Sequence, residues 1–107
     1  MANGNMNQIM KQAQAMQRKL AAAQEELART DVEGVAGGGM VRVTVAGGGG
    51  EVRSIVIDPA AVDPDDVEML ADMVTAAVNE ALRSAKQLEE EKLGGLTAGL
   101  GLPPGIV

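Results

Sequence analysis

Not one of the 107 residues is Phe, Tyr or Trp, so any core must be assembled from Val, Ile, Leu, Met and Ala. Each of these buries less apolar area than an aromatic ring. A chain of this length forms one domain and buries only roughly 60–70% of the surface it exposes when unfolded. A lone subunit is therefore marginal, and a second subunit that binds only the folded form would stabilise it by mass action.

The same inventory narrows the chemistry. With no Cys there is no disulfide framework and no thiolate metal site, and with no His the commonest metal ligand and general base are both missing. Ser54 and Ser84 have no imidazole to activate them. The carboxylates Glu25-Glu26 and Glu89-Glu90-Glu91 fall in stretches that read as exposed helix, where nothing implies a cleft to separate two pKa values. An enzyme is not expected, nor a cofactor, a metal or a small-molecule substrate. Met1 to Asn5 carries neither a basic n-region nor an apolar h-region, and no apolar run approaches the roughly 20 residues that span a bilayer. The expected location is the cytoplasm, with no membrane partner.

Residues 5–30 predict one long amphipathic helix. Met6, Ile9, Ala13, Met16, Leu20, Ala23 and Leu27 alternate three and four apart, with no Gly or Pro between them. The seam is weak at Ala13 and Ala23, so the helix should pack on a partner rather than form an autonomous coiled coil. Residues 32–57 switch to strand patterning: Val32 to Ala36, Met40 to Ala46 with three valines on one face, and Glu51 to Ile57. Gly37–Gly39 and Gly47–Gly50 read as hairpin turns, since neither precedes a helix or carries the Lys-Ser/Thr of a phosphate loop. A second helix is expected from an Asp63 N-cap with Pro64 in its first position, running to about Leu93 and stopped by Gly94-Gly95. Its apolar stripe is Val67, Leu70, Val74, Ala77, Val78, Ala81, Ala85 and Leu88. Asp63, Asp65, Asp66 and Glu68 suit a helix N-terminus and lack the spacing of a calcium loop.

The expected fold class is α+β: helix, three-stranded antiparallel meander, helix, in two layers, with the free sheet edge or face as a dimerisation surface. A single domain would cover residues 1–93, followed by a Gly/Leu/Pro-rich tail, 94–107, that either stays mobile or docks late as a flap.

The net charge of −6 argues against a nucleic-acid partner until its distribution is considered. Residues 1–24 hold Lys11, Arg18 and Lys19 and no acid, whereas residues 31–93 hold 5 basic and 13 acidic side chains. Lys11 and Arg18, seven apart, share a helix face; Lys19 adjoins them, and Gln8, Gln12, Gln14 and Gln17 surround them. Cationic and amide side chains together suit phosphate and sugar contacts, although a solvated helix face needs no more than such polar residues. Arg83 and Lys86 on the second helix extend the candidate set but are diluted by Glu80 and Glu89–Glu91. The absence of aromatics argues against single-strand stacking platforms. The methionines at helical spacing read as core or interface more readily than as an adaptable groove.

Several stretches together carry a family resemblance. Gly38-Gly39-Met40-Val41-Arg42-Val43-Thr44-Val45, then Glu51-Val52-Arg53-Ser54-Ile55-Val56-Ile57-Asp58-Pro59, resembles the centre of YbaB/EbfC proteins. So do Asp63-Pro64-Asp65-Asp66-Val67-Glu68-Met69-Leu70, Val78-Asn79-Glu80-Ala81-Leu82, the opening Met6 to Gln14 and the closing Gly101-Leu102-Pro103-Pro104-Gly105. The resemblance implies a bacterial nucleoid-associated protein: a tweezer-like homodimer with sheets at the centre and projecting helices, which binds double-stranded DNA and alters its conformation. It matches Lys11 to a basic position of the family's N-terminal motif, and Arg42 and Arg53 to basic strand positions. Arg18, Lys19, Arg83 and Lys86 rest on charge alone. The resemblance thus implies nucleoid organisation, DNA protection or gene regulation. The rival reading is a protein-interaction module of the recombination or replication machinery with an acidic binding surface.

Overall fold

The structure, a computed structural model, describes residues 2–98, with side chains from 5 to 96. Helix α1 (Ala2–Arg29) leads into a meander of β1 (Asp31–Ala36), β2 (Val41–Ala46) and β3 (Val52–Ile57), followed by helix α2 (Val67–Ala98). The sheet order is β1-β2-β3 with both pairs antiparallel, as the alternating valines and glycine turns predict. Gly37, Gly38 and Gly39 all have positive φ (62°, 68° and 93°), which L side chains rarely adopt, so the first turn requires glycine.

The core is one helix on two strands. Val41, Val43 and Val45 point to the same side of β2 and are fully buried beneath Ala77, Ala81 and Ala85 of α2. Small residues on the helix let it lie close to branched residues on the strand, the arrangement open to a core without rings. Gly34 of β1 marks the closest approach: a Cβ there would lie 2.4 Å from the carbonyl oxygen of Ala77 and 2.3 Å from the Ala81 nitrogen. α2 supplies the second layer over β1 and β2, leaving β3 as an apolar edge. Val52, Ile55, Val56 and Ile57 are 43%, 45%, 59% and 38% exposed.

Two boundaries differ from the sequence expectation. Asp63 does not cap the helix. Its carboxylate accepts the Asp65 N–H (2.9 Å) and its carbonyl the Asp66 N–H (3.0 Å), closing a turn with Pro64 in its second position. Asp66 caps α2 instead, accepting the Met69 N–H at 3.1 Å. Nor do Gly94-Gly95 stop α2, which continues to Ala98. A glycine stop needs a left-handed residue, and among the described residues only Gly37, Gly38, Gly39 and Gly49 have positive φ. The expected tail thus begins within the helix, and residues 99–107 lie outside the described part.

The molecule measures 77 × 22 × 16 Å, and its radius of gyration of 20.1 Å exceeds the roughly 13 Å of a compact chain of 100 residues. The helix arrangement accounts for the length. α2 runs antiparallel to β1, since Ala77 and Ala81 face Gly34 while Met73 faces Gly37. Its last turns therefore pass beyond the sheet at the end where α1 arrives, and there Lys92 pairs with Glu26. From Val67 to Lys92 is about 38 Å of helix, and from Glu26 back to Ala2 about 36 Å. Laid end to end these match the long dimension, so the two helices overlap only near Glu26 and Lys92. Most of α1 projects as an arm.

Candidate nucleic-acid interface

Burial along the α1 seam follows from that overlap. Leu27 is buried, while Ala23, Leu20 and Met16 are half-buried. Ala13 is exposed, as are Met10, Ile9 and Met6 at 57%, 63% and 61%. The expectation of a helix packed on a partner thus holds within the chain only for its C-terminal half.

The root of the arm is held by polar contacts. The Arg53 guanidinium donates to the carbonyl of Ala28 and pairs with Asp31 at 3.2 Å. Thr30 accepts the Gly47 N–H on its carbonyl at 2.7 Å and donates its hydroxyl to Glu26 O. A register shift at Thr44/Val45 opposes Ser54 to Thr44 and Val52 to Val45, leaving Arg53 as the extra residue. That bulge frees Arg53 to reach across toward α1. Arg42 donates to Gly39 O at 3.3 Å across the first turn. Both strand arginines thus have intramolecular partners.

Lys92 hydrogen-bonds the Glu26 carboxylate and, by charge, holds its pKa below the ordinary value of 4.5; Arg29 adds a smaller pull in the same direction. The pair removes one acid from the free electrostatics at the base of the arm.

The candidates on α1 fall into two rows. Lys11 and Arg18 stand about 20° apart around the helix and about 10.5 Å apart along it, on the side opposite the apolar seam. That spacing is about the rise of three nucleotides along one strand of duplex DNA, at 3.4 Å each. Gln8, Gln12 and Lys19 form a flanking row, with spacings of four and seven. All five side chains are exposed. Arg29 continues the first row, eleven residues beyond Arg18, and was missed because Glu25 precedes it by one turn; the spacing from Lys11 was the available signal.

Arg83 and Lys86 are also exposed, on the outward side of α2, but the fold does not bring them to the arm. By helix rise Arg83 lies about 25 Å back along the molecule from Arg18. Lys86 borders an open groove with Gly48, Gly49, Leu82, Glu89 and Glu90, so two acids share its surroundings. Among the described residues no helix is long and apolar enough to cross a membrane, and no group of three or more acidic side chains could hold a metal ion.

Comparison with known proteins fits this geometry. Residues 2–100 match the model of the YbaB/EbfC DNA-binding family. The chain is 61% identical over 102 residues to a nucleoid-associated protein of Streptomyces griseus, covering 95% of this chain and 89% of that protein. A nucleoid-associated protein of Pelotomaculum thermopropionicum is 52% identical over 103 residues, covering 96% of this chain and 97% of the relative. Among solved structures, an uncharacterized protein from Helicobacter pylori superimposes with a TM-score of 0.72 at 21% identity, over 85% of this chain and 95% of that one.

Proposed function

The chain belongs to the YbaB/EbfC DNA-binding family, and from that premise we propose that it grips double-stranded DNA as a homodimer, through phosphate contacts made by the α1 arms. The observation that carries this reading is the placement of Lys11 and Arg18 in one row on a projecting helix that contains no acid before Glu25. The acids begin at Glu25, at the root of the arm, and continue through β1, the connecting segments and α2, so an approaching duplex meets positive charge on the projecting part of the arm and is repelled elsewhere. Lys19, Gln8 and Gln12 add flanking contacts, and Arg83 and Lys86 form a separate, weaker patch. Few arginines and no groove-reading motif mean that binding tolerates many sequences. Two arms at a fixed separation would bend or bridge duplexes, and with them organise, protect or regulate the nucleoid DNA. The protein accordingly resides in the nucleoid.

The dimer is inferred from β3. Its exposed Val52, Ile55, Val56 and Ile57, with Val62 and Val67 beyond, form an apolar edge and face that a second copy would cover. A two-fold axis parallel to the arms would set both on one side, in a tweezer arrangement.

Salt titration of binding to random duplex tests the reading. Lys11 and Arg18 from two subunits make four phosphate contacts, for a slope of log K against log salt of about −3.6. The Lys11→Glu, Arg18→Glu variant should lose most of that slope and of the affinity while keeping its secondary structure and oligomeric state. A slope near zero, or unchanged binding by the variant, would refute the assignment. It would favour the protein-interaction module instead.

A further inference from the structure

The α1 seam is covered along only part of its length. Leu27 is buried and Ala23, Leu20 and Met16 are half-buried toward the root of the arm, where Lys92 meets Glu26. Farther out, Met6, Ile9, Met10 and Ala13 are exposed. The positions Met6, Ile9, Ala13, Met16 and Leu20 alternate three and four apart, the pattern of a helix that packs along another helix. Charge says which helix. Asn5 and Gln12 flank the exposed seam on one side, and Met10 and Gln17 on the other. Flanking charges select a foreign partner helix, and here there are none, so a helix with the same neutral flanks meets no repulsion. The body of the chain behaves oppositely. Residues 31–93 hold 13 acidic and 5 basic side chains, so two copies that touch through their arms must keep their bodies apart.

We propose that the exposed seam is where α1 arms of two separate dimers meet, antiparallel and back to back, so that the pair bridges two duplexes. Centred on residue 11, this alignment sets Ile9 of each arm against Ala13 of the other, Met6 against Met16, and the two Met10 side chains together. A large residue opposite a small one packs closely, and methionines adapt to the remaining gaps. Thr30 of one arm then lies about 57 Å from Thr30 of the other, several times the screening length of about 8 Å at physiological salt. A parallel pair would set the acidic bodies side by side. Lys11 and Arg18 lie on the side of α1 opposite the seam, so pairing turns the two basic rows outward, about 20 Å or two helix diameters apart. Each row faces its own duplex. The bridging rests on the proposed phosphate contacts; the pairing does not. Three large side chains per arm fall far short of the roughly 20–30 residues per side of a stable interface. The arms therefore separate in dilute solution and pair where a duplex crowds them to roughly millimolar effective concentration.

Because the chain has no Cys, introduced cysteines report the contact cleanly. Ile9→Cys chains are mixed with isotope-labelled Ala13→Cys chains and mildly oxidised, on random duplex and, without DNA, at roughly millimolar concentration. Links between the two variants should exceed by about tenfold those formed by Gln14→Cys, which lies off the seam, and should double the sedimenting mass of the native protein. Alongside, Ile9→Gln with Met10→Gln should bind a duplex long enough for one dimer with unchanged affinity and salt slope. It should lose about tenfold in the capture of a labelled duplex by a surface-bound one. Links chiefly between like positions would mean parallel arms, and an unchanged mass would mean that the arms of one dimer meet; either overturns the proposal. So would links no more frequent than in the control, or unchanged capture. Weaker binding of the short duplex by the seam variant would put the seam against DNA and overturn it too. If the wild type does not bind the short duplex, the phosphate contacts fail instead, and linking without DNA still decides the pairing.

Discussion

Gly34→Ala probes the packing on which the rest of the molecule depends. The added Cβ would lie 2.3 Å from the Ala81 nitrogen, 2.4 Å from the Ala77 oxygen and 2.8 Å from the Ala81 Cα, all backbone atoms of α2. Gly34 is not among the left-handed glycines, so the cost is steric rather than conformational. Ordinary contact distances of about 3.5 Å require α2 to lift from β1 by about 1 Å. A gap of that size forfeits about a quarter to a half of each dispersion contact of roughly 0.1–0.2 kcal/mol. The contacts affected are those joining Val41, Val43 and Val45 to Ala77, Ala81 and Ala85, all fully buried. Several tens of such contacts give about 3 kcal/mol, at the upper end of ordinary overpacking costs. At about 4–8 °C per kcal/mol for a domain of this size, Tm falls by about 12–24 °C. Urea unfolding at fixed protein concentration measures the loss, with the concentration held because the proposed dimer would add apparent stability. The clash involves backbone, so adding Ala81→Gly should not restore stability. A cost below about 1 kcal/mol, or recovery in the double variant, would refute the reasoning.

Three further outcomes follow from particular contacts. Asp66→Ala removes the cap on the Met69 N–H and should cost about 1 kcal/mol, more than Asp63→Ala; the reverse order in urea unfolding would restore Asp63 as the cap. The Glu26 carboxyl titrates below 4.5 in the folded chain, so its stabilising contribution is present above that value and fades as pH falls through the lowered one. Wild type and Glu26→Gln should therefore converge in thermal stability on acidification, by a small margin for so exposed a pair, whereas a widening gap would contradict the pairing with Lys92. Ile55→Lys places a charge on the uncovered β3 and, on the proposed dimer, should shift sedimentation toward the mass of one chain with secondary structure intact; a dimer mass unchanged by the substitution would refute β3 as the proposed contact surface.

Much of the architecture was legible because local rules act on few residues at a time. The alternation of Val41, Val43 and Val45 announced a half-covered strand, and the glycine runs announced its turns. The helix boundaries were less legible because they depend on which of several suitable residues wins. Asp63 and Asp66 are both good caps, and the turn that Pro64 favours settled the choice. Gly94-Gly95 lowers helix propensity, but a cost of about 1 kcal/mol per glycine slows a helix rather than stopping it when neither glycine is left-handed. From the sequence Arg53 was a basic strand position and no more. Only the bulge at Thr44/Val45, a property of strand pairing, turned it into the tie between sheet and arm.

For the candidate interface the division is similar. Sequence alone determined that positive charge is concentrated between Lys11 and Lys19, that Lys11 and Arg18 share a helix side, and that the seam lies opposite them, because helical periodicity is a local property. Tertiary structure decided that this stretch projects beyond the sheet, since the overlap of α1 with α2 is set by where Glu26 meets Lys92 and how Arg53 grips Ala28. It also separated Arg83 and Lys86 from the arm. Whether a charged helix side faces solvent freely or lies against neutralising neighbours depends on residues distant in the chain, and no periodicity reports that.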